Sequence, residues 1–438
     1  MHSTRTIASL VCGVIAAHSA APMAIADDLS ISPRTRINAE AAIRMEDADA
    51  SLARVTVEPR LLLRSDRGWR GEVSGRIIAA ADETGLGTVS TFSSLSRPLE
   101  LGEDARLELD RAYVTFSAGD HDLTIGKQTL AWGILDGLQV TDRFDPVDRT
   151  EAVFGELRPR RIARWGVRWQ GKAAGLNVDA AAALDATVNQ LPQTSDAFSP
   201  AAPRLRAGIP AGGATPPLRV SSRSNQVRDA SLGLRLSRSF TGTEANLVLI
   251  SGPEPDPLFQ FEPSPAGPEV ELQYPRRTLI GATLDRADGA RIWRLEAAYI
   301  PDQPVNAATG PTPGIVERRR ILAGLGLDWN LPRDVFLNLQ LGLDHVNAGG
   351  AELYRPETDL IATIRLQRGF RNERLWLKSE ILGTLSEGDG TFRPWVEWRQ
   401  SDHLTLSAGA DLVWGTREGL FGQYRDQSRI WTRISSTF

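Results

Sequence analysis

The feature that most constrains the fold is a hydropathy period of two, held for about ten to thirteen residues at a time. Residues 36–46 place Ile37, Ala39, Ala41, Ile43 and Met45 on one face and Arg36, Asn38, Glu40, Arg44 and Glu46 on the other. The next segments repeat it: Val55, Val57, Leu61 and Leu63 oppose Arg54, Glu58, Arg60 and Arg64, and Trp69, Val73, Ile77 and Ala79 oppose Arg70, Glu72, Ser74 and Arg76. Period two means a strand with one apolar and one charged face. Strands of a soluble sandwich alternate too, but usually run about 5–6 residues. These have the length that a tilted strand needs to cross a bilayer.

The pattern predicts strands over 33–45, 51–64, 69–80, 105–117, 121–132, 160–170, 174–185, 227–238, 243–252, 274–286, 289–300, 317–330, 335–346, 358–370, 373–385, 391–399, 402–414 and 427–438. Pro394 predicts a bulge or edge-like position. A change of face near Arg111 predicts a second bulge. Turn residues follow the even-numbered segments, as in Ser65-Asp66-Arg67-Gly68 and Ala118-Gly119-Asp120, whereas odd-numbered segments precede longer connections such as 81–104, 133–159, 186–226 and 253–273. An even strand count with short and long ends in alternation predicts an all-β fold: one transmembrane antiparallel up-and-down barrel of about 18 strands, with short periplasmic turns and longer extracellular loops. The Pro-rich stretches 191–217 and 253–268 fall at loop positions and are expected to be external loops rather than interdomain linkers.

Composition narrows the alternatives. Fifty basic residues against 54 acidic give a net charge of -4, without the basic excess of a nucleic-acid binder. Arg5, the apolar run from Ile7 to Ala17 and the triplet Ala24-Ile25-Ala26 predict a signal peptide over 1–26 and a barrel over 27–438. That run is too short for a spanning helix. The single cysteine, Cys12, lies inside it, so the predicted mature chain holds neither a disulfide nor a thiolate metal site. The barrel begins close behind the predicted cleavage point, so no folded plug domain is expected ahead of it. The expected location is the outer membrane of a Gram-negative bacterium.

If the apolar faces meet lipid, the opposite faces line a lumen that eighteen strands leave too wide for side chains to fill. The predicted lining carries Arg36, Arg54, Arg60, Arg76, Arg164 and Arg168 in the first half, Arg235, Arg294, Arg320, Arg365 and Lys378 further on, and Arg399 and Arg433 near the end. Glu40, Glu58, Glu72, Glu108, Asp179, Glu296, Glu380 and Glu397 face the same way. Two readings follow: a path for anions, since guanidinium suits carboxylates and phosphates, or a self-neutralising wall of cross-strand ion pairs.

The most distinctive segment, 123–148, contains Gly126-Lys127-Gln128, then Trp132 and Gly133, then Asp145-Pro146 and Asp148. Here the chain resembles porin-like proteobacterial outer-membrane proteins, including the alginate-export type, with the terminal Phe438 in support. The resemblance implies a monomeric export or uptake channel whose third external loop folds inward, with Lys127 and Gln128 at the pore wall and Phe438 as the signal read by the barrel-assembly machinery. The expected partners are outer-membrane lipid, that machinery, and a small polar or anionic solute or an acidic polysaccharide. In the loop, Asp136, Asp142, Asp145 and Asp148 are candidates for the constriction. Either they gather around a hard cation or they serve turns, as Asp before Pro does; the spacing is not that of an EF-hand, and neither a metal nor a cofactor is assigned.

Trp69, Trp165, Trp169, Trp293, Trp329 and Trp414 fall on the apolar face near strand ends, as interfacial girdles do. Trp376, Trp395 and Trp431 face the lumen. His121, His345 and His403 sit at strand ends without a partner for general-base work, so no catalytic residue is assigned. A non-conducting scaffold barrel is the alternative from another class.

Overall fold

Each of the eighteen alternating segments is a strand in the computed structural model, and the strands close into one antiparallel barrel. The structure describes residues 23–26, 29–81, 86–87, 89–155, 157–192, 198–209, 218–220, 229–265, 267–309 and 313–438. Most of the predicted signal peptide, including Cys12, lies outside them. Numbered around the barrel, the strands are β1 (Leu29–Arg44), β2 (Ala50–Ser65), β3 (Trp69–Ala80), β4 (Ala105–Ala118), β5 (His121–Gln128) and β6 (Arg164–Ala173). There follow β7 (Leu176–Ala183), β8 (Ser231–Phe240), β9 (Thr243–Pro253), β10 (Arg276–Asp288), β11 (Arg291–Ala308) and β12 (Pro313–Leu331). The circuit ends with β13 (Val335–Val346), β14 (Thr358–Phe370), β15 (Leu375–Thr384), β16 (Asp389–Arg399), β17 (Leu404–Trp414) and β18 (Arg429–Thr437). Closure runs from Arg36 opposite Thr437 to Arg44 opposite Arg429. Beyond it the backbone N–H of Phe438 donates to the Thr35 carbonyl at 3.0 Å.

The apolar face points outward. Leu247 is 62% exposed, Ile280 53% and Leu295 50%, which in water would be an unprotected apolar band and in lipid is the expected surface. Trp293 and Trp414 lie on this surface, and Arg291 packs over the Trp329 ring at 4.4 Å. The other face of each ladder carries polar groups inward, where Glu72, Thr115, Asp179, Asn338, Thr363 and Asp411 are buried. One end of the barrel has tight turns, such as 119–120, 174–175, 241–242 and 289–290, and at the other the chain leaves the wall after β5 and after β7 for its long connections. The Pro-rich stretch after β9 forms a hairpin, Leu258–Ser264 with Gly267–Gln273, joined in parallel by Leu218–Val220. A further short strand, Met23–Ala26, pairs with the start of β1.

Three local expectations meet the structure differently. The bulge near Arg111 is present: Ser74 faces Arg111 and Gly75 faces Leu109, leaving Asp110 as the extra residue. At Pro394 there is no bulge. The β16–β17 ladder skips Arg393 and Pro394 and resumes in the same register, because proline lacks only a donor and a two-residue gap absorbs the loss. The fifth strand, expected to reach residue 132, ends at Gln128, where the chain leaves the wall.

Candidate channel and its inward loop

Gly126 sets the departure of the chain from β5. Its φ is +129°, and a Cβ there would lie 2.2 Å from the Ala112 carbonyl oxygen, so only glycine fits. Beside it Lys127 is buried and donates to the Leu109 carbonyl at 2.6 Å, and Gln128 donates to the Thr124 carbonyl at 3.4 Å. These two residues brace the wall at the root of the loop and line none of the three large lumen cavities described below.

Residues 129–163 then fold into the barrel. Leu130, Trp132, Leu135, Leu138, Val140 and Phe144 pack on Val248 and Ile250 of β9, Leu279 of β10, Ala298 and Ile300 of β11 and Leu322 of β12. On this arc the inward-facing side chains that seat the loop are largely apolar, against the polar lining expected from sequence, because here they meet protein and not water. Glycines complete the seat: a Cβ at Gly324 would lie 2.3 Å from Leu135 Cδ1, one at Gly326 2.6 Å from Leu135 Cδ2, and one at Gly342 3.1 Å from Leu138 Cδ1. Polar groups fix the register. The Trp132 indole N–H donates to Asp179 at 2.9 Å. Fully buried Glu296 accepts from the Ile134, Leu135 and Thr141 backbone N–H groups and from the Thr141 hydroxyl.

The loop next crosses to the far wall. Glu151 receives Arg54 at 2.5 Å and Arg429 at 3.4 Å; burial works against its charge, yet these two guanidiniums hold its carboxyl below the usual range. Phe154 stacks on Phe198 at 4.7 Å and meets Tyr424 edge-on, and Arg393 donates to the Gly155 carbonyl. On the return, Arg160 reaches Glu108 and Asp110 at 3.1 Å each and Asp148 at 3.4 Å.

The four loop aspartates do not converge. Asp136 pairs with Arg158 and Asp142 with Arg161, Asp148 with Arg160 and Arg76, and Asp145 with Arg164 at 3.5 Å while accepting the Leu130 N–H. They serve as separate anchors of the loop. Burial pushes the Asp145 carboxyl up to about 6 despite the opposing pull of Arg164.

Most of the predicted pore cations are paired as well. Arg60 bonds Glu72 at 2.8 Å, Arg168 and Arg235 share Asp179, Arg294 pairs with Asp328, and Arg320 reaches Asp344 at 2.7 Å. Arg365 reaches Glu380 at 2.6 Å, Lys378 reaches Glu397 at 2.7 Å, Arg399 takes the other oxygen of Glu397 at 3.3 Å, and Arg433 pairs with Glu40. Arg76 lies among Glu58, Glu108 and Asp148. Arg36 is exposed near the turn end, opposite Glu58 in the ladder. The wall is thus largely self-neutralised.

Three adjoining cavities run past the loop. An outer one of about 320 Å³ lies between Leu258, Phe259, Tyr354, Arg355 and Arg204. It shares Arg149, Ala152, Val153 and Leu420 with a middle chamber of about 270 Å³. That chamber shares Gly155, Leu157 and Arg393 with an inner cavity of about 380 Å³, which contains Trp395, Trp431, Lys378, Glu397 and Glu40. Loop residues thus line both necks at which neighbouring cavities adjoin. Among the residues at and beside the necks, Arg143 and Arg149 escaped the sequence reading, since a loop has no periodicity to mark the lumen side. Burial, with Arg320 and Arg277 nearby, brings Arg143 down to about 9, so it stays cationic at neutral pH.

A family model described as "Protein of unknown function (DUF1302)" matches residues 99–348. The chain belongs to this family. The matched span holds the whole inward loop and the β9–β12 arc that seats it. Among solved structures, OccAB1 of Acinetobacter baumannii is similar over 96% of this chain and 98% of its own, at 9% identity and TM-score 0.52. A BenF-like porin of Pseudomonas fluorescens is similar over 95% and 99%, at 11% identity and TM-score 0.49, and Salmonella typhi OmpF, in complex with daunomycin, over 94% and 98%, at 8% and 0.44. The likeness concerns the fold, a porin-like outer-membrane β-barrel, and bears on no alginate-export relation. No curated protein matches the chain.

Proposed function

We propose that the protein is an outer-membrane channel for the passive passage of small polar or anionic solutes. The observation that carries this reading is the row of three cavities that share lining residues past the inward loop. A scaffold barrel would gain nothing from a loop that keeps a passage along one wall while packing tightly against the other. Of the two cargo classes, small carboxylates fit better than an acidic polysaccharide. A middle chamber of about 270 Å³ between two loop-lined necks suits one compact solute rather than a polymer.

On the same reading residues 1–26 are removed on export, Phe438 is recognised during barrel assembly, and the channel acts as a monomer. A channel also accounts for the histidines better than an enzyme: His121 stacks on Trp169, His345 bonds Thr358 and His403 bonds the Thr437 carbonyl, all away from the passage.

Reversal potential across a planar bilayer tests the ion preference. Under a tenfold KCl gradient the folded protein is expected to favour chloride, because Arg149 stands at the outer neck and Arg143 lines the chamber behind it while most wall cations are paired. A reversal potential of cation sign would contradict the anionic cargo.

A further inference from the structure

The middle chamber shares an apolar lining with the outer cavity and differs from the more polar inner one. Leu138, Val140 and Leu157 of the loop and Leu322, Ile361 and Leu382 of the wall line it, so much of its surface is aliphatic, with Arg143, Arg149, Asp344 and Arg393 as its charged groups. An aqueous pore with an unselective lining has no use for such a stretch, since each polar solute sheds hydration on entering it.

At the outer end of this aliphatic surface stand two guanidiniums that the protein leaves short of negative charge. Arg143 donates through Nε to the Gln139 carbonyl at 2.7 Å and has no carboxylate at ion-pair distance among the described residues; Glu254 and Asp344 act on it only from further away. Arg149 donates to the Gln139 side-chain oxygen at 3.0 Å, and its Nε is 4.0 Å from Asp256, at the limit of a pair. One glutamine thus holds both forks, through its backbone oxygen and its side chain. Elsewhere along the loop the arginines Arg158, Arg160 and Arg161 each have a close carboxylate. Arg143 and Arg149 differ in offering planar donors to something outside the protein.

We infer that the middle chamber is a solute-binding site for compact amphipathic monocarboxylates, the carboxylate held between Arg143 and Arg149 and the apolar body lying against Leu138, Leu322, Ile361 and Leu382. This rests on the channel reading and adds the substrate class to it. The body gains from leaving water at about 25 cal/mol per Å², and the head exchanges hydration for charge-assisted hydrogen bonds. A hydrophilic acid of the same charge gains only the second, and a neutral apolar alcohol only the first.

The test is equilibrium binding of cyclohexanecarboxylate to the full-length folded protein in nanodiscs, by titration calorimetry, with gluconate and cyclohexanemethanol as comparison probes and empty nanodiscs as the blank. Cyclohexanecarboxylate is expected to bind at least tenfold more tightly than either. Arg143→Gln with Arg149→Gln should weaken it tenfold or more and leave cyclohexanemethanol unchanged. Leu382→Asn, on the wall opposite the loop, should narrow the gap between cyclohexanecarboxylate and gluconate. Because Leu382→Asn leaves the loop sequence intact, it reports on the chamber even if the arginine variant fails to fold. Equal affinity for cyclohexanecarboxylate and gluconate, or binding that neither variant changes, would overturn the site. Binding needs no current, so a protein that conducts without this preference contradicts the site alone, and one that binds without conducting contradicts the channel.

Discussion

Glu296 is the residue on which the position of the loop depends most. Its carboxylate accepts from three backbone N–H groups and one hydroxyl of the loop and is fully buried. Glu296→Ala would leave several buried donors without partners, each costing about 1–3 kcal/mol, which exceeds what one edge of a loop can lose and stay docked. The expected outcome is faster trypsin cleavage in residues 143–161 with the barrel still folded; cleavage at the wild-type rate would contradict the role. Asp145 gives a pH signature. The folded protein holds its proton up to about 6, against 3.8 for an ordinary aspartate, so the folded state binds that proton more tightly than the unfolded one. Its contribution is therefore most favourable below about pH 4 and is withdrawn as pH rises through 6, by about 3 kcal/mol at most. Asp145→Asn should flatten the fall in thermal stability between pH 4 and 6 that the wild type has; parallel profiles would show that Asp145 is not its source.

Between strand and loop the sequence was legible to different depths. Strand positions could be read because a wall with lipid on one side and polar groups on the other repeats every second residue, and β3, β13 and β14 run over the predicted spans. The loop seat was harder to see, although a trace of it is in the sequence. Gly324 and Gly326 alternate with Leu325 and Leu327, so glycine stands where the pattern asks for polar side chains, the mark of a backbone that something else approaches. Gly324→Val would push Leu135 off the wall, and the expected result is an altered single-channel conductance with barrel yield retained. Gly126→Ala acts on the backbone instead. With φ at +129° and a carbonyl oxygen 2.2 Å from the new Cβ, the folded yield after refolding into detergent should fall severalfold; a yield equal to wild type would contradict the account of the loop root.

For the whole molecule, closure and strand number followed from alternation and connection length, while the content of the lumen did not. Of the predicted lining cations, Arg60, Arg168, Arg294, Arg320, Arg365 and Arg433 pair with the wall's own carboxylates, and Arg54 pairs with Glu151 of the loop. The groups beside the passage that remain short of charge, Arg143 and Arg149, come from a segment with no period to read. The barrel wall is thus largely self-neutralised, and on the channel reading it is the loop that gives the lumen both its narrow path and its chemistry. Single-channel conductance of the wild type beside Glu296→Ala tests that claim most directly. The wild type should give small, discrete current steps and the variant larger, noisier ones, as the loop leaves the lumen. Absence of current from both proteins, or identical steps from both, would contradict it.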